Sequence, residues 1–257
     1  MTQSKYWSSE AEYVLEVPER DLEFRIALGG PKTPVGVVGP PNSYKSLLGQ
    51  ALAVLISGET PAGTKQGGFR GIFPMLTWIG EGASASVTDG ENRRECYFHP
   101  IDPEDGKPQV FTFSSEMEFV KPFVYLSGAC DFVLTSGMSI HFLAHASHEA
   151  SLISQHYRSL FPGSRISTEL VRASLPFTNT VTPSGMLSIL AVANAVTAAM
   201  RAGTLILDLQ NPFLESAKLV ELHKVILKLA RLHENKVISF GPEWLHREAG
   251  YDKIESV

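Results

Sequence analysis

Cysteine is almost missing from this chain. Its 257 residues include two, Cys96 and Cys130, too few for a disulfide framework or a four-thiolate zinc site, and such scarcity fits a reducing compartment. Long hydrophobic runs are missing as well. The most apolar stretch, residues 186–200, is rich in alanine and threonine and falls short of the roughly 20 apolar residues a membrane span requires. It reads as a buried helix, and no membrane partner is expected. The opening residues MTQSKYWSSEAEY are polar and carry no mark of a secretory signal. Charge of one sign is also lacking: 22 Lys and Arg against 27 Asp and Glu leave a net charge of −5. That balance excludes a global basic field for nucleic acid, though not a local basic channel. The expectation is a soluble, cytoplasmic protein. Hydrophobic residues at 44% and charged residues at 19% are ordinary for a globular chain. The length suits one large α/β domain or two small ones.

What is present concentrates in residues 34–58, PVGVVGPPNSYKSLLGQALAVLISG. Val35, Val37 and Val38 read as a short buried strand. Gly39, Pro40, Pro41, Asn42, Ser43 and Tyr44 form a turn, and an amphipathic helix starts at Lys45. Strand, tight loop, Lys-Ser and helix are the parts of a phosphate-binding P-loop. Backbone N–H groups cradle the phosphates, Lys45 reaches the β/γ-phosphates, and the Ser46 hydroxyl ligates Mg²⁺. The usual pattern is G-x-x-x-x-G-K-[ST], and here Tyr44 occupies the place of the second glycine. A side chain at that point crowds the chain where it curls around phosphate. Tyr44 is also placed to stack on a base. The plainer reading is a turn followed by a helix N-terminus.

Around this stretch, residues 1–33 read as an irregular N-terminal arm with strand-like segments at 12–17 and 22–28. Residues 58–71 carry five glycines with Lys65 and Arg70 and read as a loop. Residues 75–81 form a strand ending in Glu81, and the polar, turn-rich 88–108 reads as an excursion or hairpin. Strands follow at 109–113, 123–126 and 131–135, and residues 140–160 show helical periodicity. The last third alternates: helix 184–201, buried strand 204–208, amphipathic helix 214–232, strand 236–240. That order argues for a mostly parallel sheet with helices on both faces. The expected architecture is α/β: a RecA-like P-loop NTPase domain over residues 34–257, with an inserted, partly β segment at about 88–180.

Further candidates come from strand ends, where ligands sit in open α/β sheets. Asp208 closes the buried strand Thr204-Leu205-Ile206-Leu207 in the manner of a Walker B strand, whose carboxylate holds the Mg²⁺ shell opposite the P-loop hydroxyl. Glu81 is placed to orient an attacking water, or is a solvated loop residue. Ser239 or a neighbour is placed to sense a γ-phosphate, and Arg247 is a candidate arginine finger reaching an adjacent subunit. His141, His145, His148 and Glu149 fall on one face of a helix, a spacing that holds zinc or makes a polar packing face.

The loop GPPNSYKS locally resembles the GPPNTGKS form of superfamily 3 viral helicases. A longer, piecewise resemblance is to the hexameric RNA-packaging motors of double-stranded RNA bacteriophages. Those have a P-loop, a strand ending aromatic-x-G-E, a Walker B strand, a strand ending Asn-Pro and a segment like D-K-I-x-x-V. The matching residues here are GPPNSYKS, Trp78-Ile79-Gly80-Glu81, residues 205–208, residues 237–242 and Asp252-Lys253-Ile254-Glu255-Ser256-Val257. The resemblance implies a ring-shaped homo-oligomer, a hexamer, that hydrolyses ATP or another NTP with Mg²⁺ and translocates single-stranded RNA. Two rival readings stand beside it. One is a non-catalytic relative serving as an assembly module, with Tyr44 filling the phosphate space. The other is a metal enzyme centred on the histidine face.

Overall fold

The structure, a computed structural model, describes residues 8, 10–30, 32–40, 43–57, 79, 82–99, 110–115, 123–127, 132–135, 140–142, 203–208 and 216–257. Glu81, Pro41, Asn42, Trp78, the glycine-rich 58–71, His145, His148, Glu149 and the expected helix at 184–201 lie outside them. Two sheets organise the described residues. The larger, of seven strands, runs in the order β12 (Lys253–Ser256), β3 (Val35–Val38), β11 (Lys236–Phe240), β10 (Thr204–Asp208), β7 (Phe123–Ser127), β8 (Phe132–Thr135), β9 (Ile140–Phe142). The pairings from β12 through β7 are parallel, whereas β8 and β9 fold back antiparallel at one edge. The smaller sheet is antiparallel, in the order β2 (Leu22–Ala27), β1 (Glu12–Val17), β4 (Ser84–Asp89), β5 (Asn92–His99), β6 (Val110–Ser115).

The central parallel strands are apolar end to end because both of their faces are covered. All residues of VGVV, TLILD and KVISF are buried. Strand alternation assigns their sides. In β11, Phe240 meets α1 (Lys45–Ser57) at Gly49, while Ser239 turns to the opposite face and α3 (Glu243–Ala249). On that second face lies α2 (Ser216–His233) as well, burying Leu219, Val220, His223, Ile226, Leu227 and Ala230. These positions make one stripe at helical spacing. Helices therefore cover both faces, as expected.

Helix α1 is not amphipathic. Leu47, Leu48 and every residue from Gln50 to Ile56 are at most 5% exposed. The reason is non-local: α1 lies between the two sheets, touching β1, β4 and β5 on one side and β7, β10 and β11 on the other. The fully buried Tyr13 of β1 donates its hydroxyl to the Leu48 carbonyl of α1 at 3.0 Å. The segments at 12–17 and 22–28, read as strands within an irregular arm, are thus β1 and β2, and they share a sheet with β4, β5 and β6. The expected hairpin near residue 88 forms as β4–β5, turning at Gly90-Glu91 with Gly90 at φ 62°.

Residues 140–142 correct the helical reading of 140–160 at its start. Ile140, His141 and Phe142 extend β9 against Leu134, Val133 and Phe132 of β8, so cross-strand pairing prevails there over local periodicity. Among the described residues, no helix is long and apolar enough to cross a membrane.

Candidate functional site

The segment between β3 and α1 brings Gly39, Pro40, Ser43, Tyr44, Lys45 and Ser46 of the expected phosphate-binding residues to the carboxyl edge of the parallel sheet. Gly39 follows β3, where a Cβ would collide with the Ser43 side chain and stand 2.8 Å from the Val257 carbonyl. The first turn of α1 follows, with the Leu48 amide bonded to the Tyr44 carbonyl at 2.9 Å. The first amides of a helix, with its dipole, favour an anion.

Lys45 is only 6% exposed. Its ammonium donates to the carbonyls of Gly39 at 2.9 Å and Pro40 at 2.7 Å and to Ser43 Oγ at 2.9 Å. These bonds satisfy a charge that burial would otherwise penalise. Burial lowers the Lys45 pKa, and the charge on Asp208 works against that shift. The lysine is therefore folded into the loop it is expected to serve.

Tyr44 stands at φ 60°, the left-handed conformation in which a glycine costs nothing and an L side chain about 1–2 kcal/mol. The departure from the motif thus keeps the glycine backbone geometry and adds strain. The ring does not remain in the loop. It packs against Phe24 of β2, with centroids 5.8 Å apart, and joins the edge of the hydrophobic core.

Asp208 ends β10 and is fully buried. Its Oδ1 accepts from Ser46 Oγ at 3.2 Å, and its Oδ2 accepts from the Tyr125 hydroxyl of β7 at 3.2 Å. A hydroxyl and a carboxylate brought together beside a P-loop lysine form a hard-oxygen pair of the type Mg²⁺ takes. Ser46 and Asp208 are the residues that fit such an ion. Tyr125 escaped the sequence reading, since a tyrosine inside an apolar strand looks like core.

Other candidates fall elsewhere. Ser239 is on the face away from α1, its Oγ 3.0 Å from His246 Nε2; it does not face the P-loop. Arg247 is an exposed residue of α3, held to Glu243 by ion pairing at 2.5 Å. His141 has its backbone in β9. Among the described residues, no group of three or more His, Cys, Asp or Glu is placed to hold a metal.

One solved structure, an SMC head bound to the C-winged helix domain of ScpA, aligns with 96% of this chain and 93% of its own. The identity is 13% and the TM-score 0.52. The chain has the fold of a P-loop NTPase. A putative ABC transporter ATP-binding protein from Pyrococcus furiosus matches at 14% identity over 95% of this chain and 96% of that one, with a TM-score of 0.44. An SMC head domain from Thermotoga maritima matches at 11% over 93% and 91%, with a TM-score of 0.38. No protein-family model and no curated protein matches the chain. The likeness is one of fold. At 13% identity the match to the SMC head shows the fold alone and does not extend to the resemblance to RNA-packaging motors.

Proposed function

We propose that this P-loop NTPase-fold domain binds ATP or another NTP with Mg²⁺ at the β3–α1 loop and hydrolyses it. In this reading it acts as a RecA-like homo-oligomer on single-stranded nucleic acid, as a helicase or translocase does. The observation that carries it is the convergence of Lys45, Ser46 and Asp208 across 162 residues of sequence, with Ser46 Oγ bonded to Asp208. Phosphate oxygens would take the Lys45 donors now given to Gly39, Pro40 and Ser43, a close exchange of acceptors around one buried charge. Mg²⁺, held by Ser46 and Asp208, would neutralise charge on the phosphates. Glu81 orients the attacking water in this reading. Arg247 leaves its Glu243 partner to reach a neighbouring copy, as its exposure allows.

One observation favours a second reading, a non-catalytic assembly module. Asp208 is followed by Leu209 and Gln210, so no carboxylate follows it directly in sequence, and this reading leaves the attacking water to Glu81. Calorimetry of Mg²⁺-ATP binding by the assembled wild type and by Lys45→Ala tests the proposal. Binding lost in the variant is the expected result. Turnover assays with and without single-stranded RNA and DNA then separate the enzyme from the module. No binding by the wild type at millimolar ATP would overturn the nucleotide reading.

A further inference from the structure

We propose that Tyr125 is a positioning residue for the metal side of the nucleotide site: it fixes the Asp208 carboxylate so that one oxygen stays turned to Ser46. The inference rests on the nucleotide reading above and adds a residue to it. In the parallel pairing of β7 and β10, Tyr125 lies opposite Ile206 and Ser127 opposite Asp208. The Tyr125 side chain therefore runs along the sheet toward its carboxyl edge, and its hydroxyl meets Asp208 two residues beyond its own register partner. Both residues are fully buried. A carboxylate charge in such a place requires donors. Of its two oxygens, Oδ2 takes the Tyr125 hydroxyl and Oδ1 takes Ser46, each at 3.2 Å.

A carboxylate held at one oxygen cannot swing about its χ2 without breaking that bond. Tyr125 thereby commits Oδ1 to the side of the site where Ser46 stands. A free carboxylate would have to be ordered each time an ion is bound. Partners of this kind, one step removed from the ion, typically change metal affinity 10–100-fold when removed. The Lys45 ammonium, for its part, donates to Gly39, Pro40 and Ser43 of the loop, and the phenol bonds the carboxylate. Its removal should consequently affect the metal and spare metal-free nucleotide.

The test compares wild type with Tyr125→Phe in calorimetry of ATP, once with EDTA and once across a Mg²⁺ titration, with thermal unfolding of each protein alone. The expected result is metal-free ATP affinity within about twofold of wild type and a Mg²⁺ half-saturation raised roughly 10–100-fold. The Mn²⁺ electron paramagnetic resonance spectrum of the nucleotide complex should also broaden in the variant. An unchanged Mg²⁺ half-saturation overturns the proposal, as does an equal loss of affinity with and without metal. Wild type whose ATP affinity ignores Mg²⁺ overturns instead the reading on which the proposal rests. Should Tyr125→Phe fail to fold, difluorotyrosine at position 125 keeps the ring and the hydrogen bond but makes the hydroxyl more acidic. It must then shift the Mg²⁺ half-saturation, and no shift overturns the proposal.

Discussion

Mild acid is expected to destabilise this protein through two histidines on the face of the sheet opposite α1. His223 of α2 and His246 of α3 are both fully buried. His223 Nδ1 is 2.8 Å from the Tyr251 hydroxyl and His246 Nε2 is 3.0 Å from Ser239 Oγ, while the rings pack about Tyr251. Among the described residues, the other nitrogen of each ring, His223 Nε2 and His246 Nδ1, has no hydrogen-bond partner. A proton added there would be a buried charge without an acceptor. Burial accordingly lowers the pKa of His223 from 6.5 to about 4. Burial, helped by the neighbouring His223, lowers that of His246 from 6.5 to about 3. The unfolded chain thus takes up protons below 6.5 that the folded chain refuses. Stability is fully present above that value and is lost as the pH falls from 6.5 toward 4. Each histidine contributes about 1.4 kcal/mol per pH unit, or about 2 kcal/mol at a pH near 5. Together they remove about 4 kcal/mol of the ~5–15 kcal/mol that holds a typical domain. Urea unfolding of wild type, His223→Asn and His246→Asn at a series of pH values checks the argument. Each variant should start less stable and lose about 2 kcal/mol less than wild type between about pH 8 and about pH 5. Variants that lose as much as wild type would refute it.

Two further predictions concern backbone positions. Gly36 of β3 faces His246, and a Cβ there would stand 2.5 Å from His246 Cγ and 2.6 Å from Nδ1. Gly36→Ala should cost about 1–3 kcal/mol by overpacking, measured by urea unfolding. Adding His246→Ala should recover part of that loss, because the two sites are in contact. At position 44, Gly and Ala variants both lose the ring contact with Phe24 and differ in one methyl group at φ 60°. Tyr44→Gly should be more stable than Tyr44→Ala by about 1 kcal/mol. Equal stabilities would mean that the loop relaxes out of the left-handed conformation.

The parts of this fold that are legible in the sequence are those whose signal is local. The runs VGVV, TLILD and KVISF announce buried strands by their apolar continuity, and glycine or proline stands beside β3 and β11. The Lys-Ser pair at the head of a helix marks the candidate phosphate site in the same way. What was not legible depends on partners far along the chain. The outward face of α1 looks polar enough for solvent only until β1, β4 and β5 are laid over it. Tyr125 gains its role from its strand's pairing with β10, across 83 residues of sequence. Ser239 is the instructive case, because its misplacement follows from one residue of strand parity. Phe240 is a large apolar residue that must face the helix between the sheets, so its predecessor has to face the other way. Parity thus sends Ser239 to His246 and the acid-sensitive cluster. The same alternation, applied to β10, puts Asp208 on the side of Ile206 and therefore of the core beneath α1. Position along a parallel strand decides whether a polar group reaches the ligand edge, and parity decides which face it serves.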